Sequence, residues 1–219
     1  MRRAPTLPKL HQGILEYLAC AQHATNAQLA RGCAVQAPAV SKAVQKLLAA
    51  NLIDGSLLTR PMILHLTSAG GRMLGVSPPS GRPHASWSVM AHACHRNAVQ
   101  EMMGSTHPGF RFLSRVALFK QGFNPAFGEH GALDDAGTAW FVMLDDYMMS
   151  SERITRSWTR RHTPKRQYWP DATGRVWREV VQRFLVVSTD AQHAARHRQW
   201  ILRTELPAEV RHLPPLWPT

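Results

Sequence analysis

Cysteine is scarce in this 219-residue chain: Cys20, Cys33 and Cys94 are its three, an odd number at spacings that match neither a zinc knuckle nor a disulfide framework. They read as buried thiols of a reducing compartment. There is no Gly-rich phosphate loop, nucleophile elbow or dinucleotide fingerprint, which removes the common signatures of nucleotide-dependent and α/β-hydrolase enzymes. No His-x-His occurs, so the histidine strand of a tyrosine relaxase is missing and Tyr147 and Tyr168 receive no catalytic role. Long apolar runs are absent too. The basic start MRRAPTLPKL is not backed by one, so neither a signal peptide nor a membrane span is expected. These absences point to a cytoplasmic protein with no membrane partner.

Acidic residues are the other deficit. Asp and Glu total 14 against 26 Lys and Arg, a net charge of +12. The excess is uneven: residues 1–75 carry 8 basic and 2 acidic side chains, residues 76–150 carry 5 and 6, and residues 151–219 carry 13 and 6. Two positive ends flank a neutral middle, and a polyanion, nucleic acid first, is the simplest partner for such a field.

What is present begins with helical periodicity. In AVSKAVQKLLAANLI, Val40, Val44, Leu47 and Leu48 fall on one face, with Ser41, Lys42, Gln45 and Lys46 on the other. A helix from about Lys9 to Ala21 precedes it. A second helix is opened by TNAQ, where Thr25 and Gln28 have capping-box spacing. Pro38 suits the first turn of the third, where its missing N–H costs nothing. The runs LIDGSLLTR and MILHLT then read as a strand pair hinged near Arg60 and Pro61, and a fourth helix starts at Thr67 or Ser68. This order resembles the winged helix-turn-helix domains of bacterial regulators. The resemblance implies that the third helix enters the major groove with Ser41, Lys42, Gln45 and Lys46, while Arg60 on the wing touches phosphate or minor groove. The competing reading of the same domain is a protein-docking module.

GVSPPSGRPHAS has no apolar period and reads as a connector at 76–86, separating domains 1–75 and 87–219. The fold class is therefore α+β, a winged helix followed by a mixed α/β domain. In the second domain a helix is expected from about Trp87 to Met103, then short apolar runs, FRFLSRVALF, AWFVML and RFLVVST. LDDAGTAW has hairpin chemistry with Asp134, Asp135 and Gly137 at its tip, and TDAQHAARHRQWILR reads as a basic helix.

WSVMAHACHRNAVQEMM, FNPAFGEHGALDDAGTAWFVMLDDYMMSSERI, RFLVVSTDAQHAARHRQW and LPPLWP, in this order behind a winged helix, are similar to the replication-relaxation family, which includes MobC-type plasmid mobilisation proteins. The resemblance implies a domain related to PD-(D/E)XK nucleases, working in conjugative transfer or plasmid replication as a DNA-binding protein at an origin or as a regulator. Such nucleases hold Mg²⁺ between carboxylates on adjacent strands. Here Ala126 follows Pro125 where the pattern expects Asp, and Met143 replaces the acidic residue before x-Asp. Asp145 survives as the candidate catalytic residue, beside Asp146. Glu101, Glu129, Asp134 and Asp135 are conceivable substitutes, although Asp134 and Asp135 are explained as turn residues and Asp145 with Asp146 as a strand-end pair meeting nearby arginines. The expectation is a degenerate site without a cofactor. A metal-dependent nickase using Asp145 and Mg²⁺, and an adaptor recruiting relaxosome or replication proteins, are the competing readings. Double-stranded DNA is the expected partner, and a homodimer is compatible with it.

Zinc has two weak candidates. His92, Cys94 and His95 lie together, and His193 and His197 stand at i, i+4, but neither group has a second ligand pair at motif spacing. His92 reads as a buried helix histidine, His193 and His197 as part of a basic solvated face, and no metal ligand is assigned. The strongest remaining signal is RITRSWTRRHTPKRQYWP, in which Arg153, Arg156, Arg160, Arg161, Lys165 and Arg166 alternate with Trp158, Tyr168 and Trp169. Such a mixture neutralises phosphates and stacks on unpaired bases. Arg196, Arg198 and Arg203 would extend that surface.

Overall fold

The computed structural model describes residues 7–56, 61–75, 87–114, 117–118, 125, 128–146, 149–160 and 181–215. The chain divides into two compact units, Met1–Ala98 and Val99–Thr219. The expected connector at 76–86 lies outside the described residues. The division falls later, inside the helix Trp87–Gly104.

The first unit runs α1 (Lys9–Ala21), β1 (His23–Thr25), α2 (Asn26–Gly32), α3 (Ala37–Ala49), β2 (Ile53–Ser56), β3 (Ile63–Leu66) and α4 (Ser68–Met73). The strands form an antiparallel sheet in the order β1-β3-β2. Three helices interrupted by one short strand and closed by a β-hairpin are the winged helix-turn-helix arrangement. Its short elements start and stop on local chemistry. Thr25 caps α2 as a capping box: Gln28 N–H donates to Thr25 Oγ1 (3.3 Å) and Thr25 N–H donates to Gln28 Oε1 (3.0 Å). Thr67 caps α4 through its hydroxyl.

The helix ends are equally defined. Ala34 and Asn51 adopt left-handed φ values of 53° and 54°, and each terminates its helix by a Schellman pair. Val35 N–H donates to Ala30 O and Ala34 N–H to Arg31 O, while Leu52 N–H donates to Leu47 O and Asn51 N–H to Leu48 O. Gly32 packs closely under Tyr17, since a Cβ there would sit 2.1 Å from Cε2 and the ring would have to shift. The core gathers Ile14, Leu15 and Leu18 of α1, Leu29 of α2, Val40, Val44 and Leu47 of α3 and Leu64 of β3. Burying each large aliphatic side chain stabilises by roughly 1.5–3 kcal/mol. The beginning of α5 (Trp87–Gly104) belongs here as well: Gln28 Nε2 donates to Cys94 O (2.8 Å) and Asn97 Nδ2 donates to His23 O (2.7 Å).

The second unit contains β4 (Arg111–Phe112), β5 (Glu129–Leu133), β6 (Ala139–Asp145), α6 (Ser151–Arg160), β7 (Val181–Ser188), α7 (Ala191–Thr204) and β8 (Ala208–His212). Its five-stranded sheet has the order β4-β5-β6-β7-β8, antiparallel from β4 to β6 and parallel from β6 to β8. Parallel neighbours need crossovers, and the helices fall between them. Both faces of β6 and β7 are covered, and their side chains alternate accordingly. Phe141, Met143, Phe184 and Val186 meet Ile154 of α6 and Ala194 and Ile201 of α7, whereas Val142, Leu144, Leu185 and Val187 meet Val99 and Met103 of α5. By this alternation Asp145 and Ser188, the last residues of their strands, face the α6–α7 side.

The expected hairpin at LDDAGTAW is the β5–β6 turn. Asp134 accepts hydrogen bonds there from Thr138 N–H (2.8 Å) and Trp140 Nε1 (3.2 Å), and Gly137 supplies a φ of 76°.

Candidate functional site

Two places in the molecule concentrate chemistry. The first is α3. Val40, Ala43, Val44 and Leu47 are buried beneath it, and they hold outward a face on which Lys42, Gln45 and Lys46 are exposed and Ser41 is half-buried. The four-residue turn from Cys33 to Gln36 and the capped α2 before it fix the angle of that face. Amide, hydroxyl and ammonium groups can hydrogen-bond base edges and phosphates. Arg60 lies outside the described residues.

The basic aromatic segment is only partly described. Arg153 and Arg156 are exposed on α6. The side chain of Arg160 and all of Arg161, Lys165, Arg166, Tyr168 and Trp169 lie outside the described residues. Trp158 corrects the sequence expectation of a base-stacking side chain. Its ring stacks on Phe184 with centroids 4.7 Å apart and planes 1° from parallel. On the amphipathic α6, Trp158 shares the inner face with Ile154, and Arg153 and Arg156 take the outer one. Arg196, Arg198 and Arg203 are exposed on α7.

The second place is the end of β6. Asp145 is 1% exposed and its carboxylate is surrounded by donors. Met149 N–H donates to Oδ1 (2.5 Å), while Ser188 Oγ donates to Oδ2 (3.1 Å) and His197 Nε2 lies 2.9 Å from the same oxygen. His193 Nδ1 stands 3.4 Å from it. His197 Nδ1 in turn meets Ser151 Oγ of α6 at 3.1 Å. Burial alone would raise the Asp145 carboxyl, but the hydrogen bonds from His197, Met149 and Ser188 and the charge of His197 outweigh it and hold the group below its ordinary value.

Two corrections follow. Asp145 meets two histidines and Ser188 where arginines were expected, because the parallel β6–β7 pairing sets Asp145 beside Ser188 under α7. His193 and His197 are buried rather than solvated, because the face of α7 they share with Ala194 and Ile201 is the one packed on the sheet.

Three of the other candidate carboxylates are engaged elsewhere. Glu129 is buried opposite Met143 and accepts a hydrogen bond from Ser157 Oγ (2.6 Å). Asp134 holds its turn, and Asp135 pairs with Arg111 (3.5 Å). His92, Cys94 and His95 are buried, and burial pushes the Cys94 thiol up to about 12. Cys20 is exposed and Cys33 half-exposed, so only Cys94 of the three free thiols is buried as expected. The signal missed in the sequence was the combination of the His193/His197 helical pair with a strand-end aspartate some fifty residues earlier.

No family model matches the chain and no curated protein matches it. Among solved structures, a MarR family transcriptional regulator from Silicibacter pomeroyi is similar at 26% identity over 32% of this chain, with a TM-score of 0.30. The match spans about half of that regulator, 48%. Lactococcus lactis ZitR, solved in complex with DNA, is similar at 22% identity over 48% of this chain and 65% of its own, with a TM-score of 0.31. The adhesin competence repressor of Streptococcus pyogenes is similar at 20% identity over 46% of this chain and 66% of its own, with a TM-score of 0.29. The winged-helix description rests on the element order and strand pairing of the first unit. No helix among the described residues is long and apolar enough to cross a membrane.

Proposed function

We propose that this chain is a double-stranded DNA-binding protein with a regulatory role, reading its site through α3. The observation that carries this reading is the exposed Lys42–Gln45–Lys46 face of a helix whose opposite face is anchored in the core of a winged helix. The net charge of +12 supports it through the counterions that Lys and Arg release from a duplex. In the finer form of the proposal the DNA is a transfer or replication origin, or a promoter, of a mobile element. The motif resemblance to the replication-relaxation family, read over nearly the whole chain, supports that setting, and the second unit is then a nuclease-like fold that has lost catalytic carboxylates and keeps Asp145. The absence of a second carboxylate at Met143 favours binding over cleavage.

The test is a set of single substitutions in the full chain, assayed on a selected site and on random duplex. Gln45→Ala and Ser41→Ala should weaken the selected site by about 1–3 kcal/mol with little change on random DNA. Lys42→Ala and Lys46→Ala should weaken both and lower the salt dependence. Equal losses on both duplexes from all four changes would remove base reading from α3, and no loss from any would make the winged helix a protein-docking module.

A further inference from the structure

Asp145, His193 and His197 each offer one ligand atom, and these atoms all lie within 4.8 Å of one another. Asp145 Oδ2 is 2.9 Å from His197 Nε2 and 3.4 Å from His193 Nδ1. Around a tetrahedral ion with bonds of about 2.0–2.1 Å, neighbouring ligand atoms stand ~3.3 Å apart. The two separations bracket that value. His193 Nδ1 has a further peculiarity: it is buried, and no hydrogen-bond partner satisfies it. Buried polar atoms are nearly always paired, and an orphan aimed at a carboxylate and a second imidazole points to a missing ligand.

We propose that Asp145, His193 and His197 bind one divalent transition-metal ion, with zinc the best match. Two imidazoles and a carboxylate suit zinc and its first-row neighbours, whereas Mg²⁺ and Ca²⁺ take oxygen shells. The i, i+4 spacing of the histidines puts both on one face of α7, as two-histidine zinc helices require. The supporting contacts are those that a metal site needs. With Nε2 of His197 on the ion, its proton resides on Nδ1 and is donated to Ser151 Oγ, which fixes the tautomer. Met149 N–H holds Asp145 Oδ1, so Oδ2 stays aimed at the histidines. The fourth position falls to water or to Ser188 Oγ, already 3.1 Å from Oδ2. Ala194 follows His193 where zinc peptidase helices carry their glutamate base, so the ion fastens β6 to α7 and is given no hydrolytic role.

The experiment uses the full chain, stripped with chelator, dialysed and titrated with zinc against a chromophoric competitor, with bound metal counted by mass spectrometry. The expected result is one tight zinc per chain. His193→Ala removes a ligand without breaking any hydrogen bond at Nδ1, so it should fold as the wild type does by circular dichroism while losing at least tenfold in zinc affinity. Ser151→Ala should keep one site and lose about 10–100-fold. Cobalt loaded in place of zinc should lack thiolate charge-transfer bands. Zinc affinity unchanged in His193→Ala, thiolate bands in the cobalt protein, or no stoichiometric zinc in the wild type would each overturn the proposal.

Discussion

Acid should loosen the winged helix through His23. This residue lies on β1, opposite His65 of β3, with ring centroids 5.8 Å apart. It is 7% exposed, and the Nδ1 atoms of both rings are buried without a partner. Burial first, then the charges of His65 and of Arg96 on α5, lower its pKa to about 4. His65 is itself lowered by burial, against the opposing charge of Asp54 on β2. The unfolded chain therefore takes up a proton on His23 as pH falls through 6.5, while the folded unit refuses it until about pH 4. The stabilisation is complete above pH 6.5 and is lost through this window at up to about 1.4 kcal/mol per pH unit, roughly 3 kcal/mol in all. Most of the window lies above the range in which ordinary carboxylates titrate.

The assay is hydrogen exchange followed by mass spectrometry on peptides from α1, β1 and β3, at several values between pH 7 and pH 4.5. Comparing His23→Gln with the wild type at each pH cancels the intrinsic exchange chemistry. The opening free energy of these peptides should fall with acid in the wild type and should be much flatter in the variant. Parallel slopes in the two proteins would refute the reasoning and assign the acid response to other groups.

Two further outcomes are expected. Changing Arg160, Arg161, Lys165 and Arg166 together to Gln should lower DNA affinity and reduce the logarithmic salt slope by roughly 2–4, with base preference unchanged; wild-type binding at every salt concentration would return the segment to a solvated or protein-docking surface. Asp145→Ala strands His197 and Ser188 and should destabilise the second unit by about 3 kcal/mol in urea titrations followed by tryptophan fluorescence, while nicking of supercoiled plasmid stays absent with and without Mg²⁺; Mg²⁺-dependent nicking lost in the variant would revive the nickase reading.

Sequence patterns foretold the parts of this fold whose causes are local. α1 ends where its periodicity does, the Thr25–Gln28 box opens α2 as its spacing requires, and Thr67 caps α4. Other local features carried no such mark. The left-handed turn at Ala34 occupies a residue type that seldom adopts it, so nothing in the composition announces the turn of the helix-turn-helix. β1 is three residues long, too short for an alternation to register. The Asp145 site was hidden for a different reason. Its members are 52 residues apart at the widest, from β6 to α7, and meet only because two parallel strands end side by side beneath a helix. Arg196 and Arg198, flanking His197, made its surroundings look wet, although they are exposed and the histidine pair is buried.

The chemistry around Asp145 bears on the proposal that the second unit is nuclease-like. A magnesium nuclease needs a second oxygen donor within reach of the strand-end aspartate. The position that would supply one holds Met143, an apolar side chain packed with Phe141 and Val186, and Glu129 across the strand pair is occupied by Ser157. Oδ2 of the aspartate, which accepts from Ser188 Oγ, faces two imidazoles instead. Placing Glu at 143 would therefore put a carboxylate among apolar neighbours, and it should cost stability before it gained Mg²⁺. The atoms that face Asp145 are borderline imidazole nitrogens rather than hard oxygens, and such a set is suited to holding a softer ion in place.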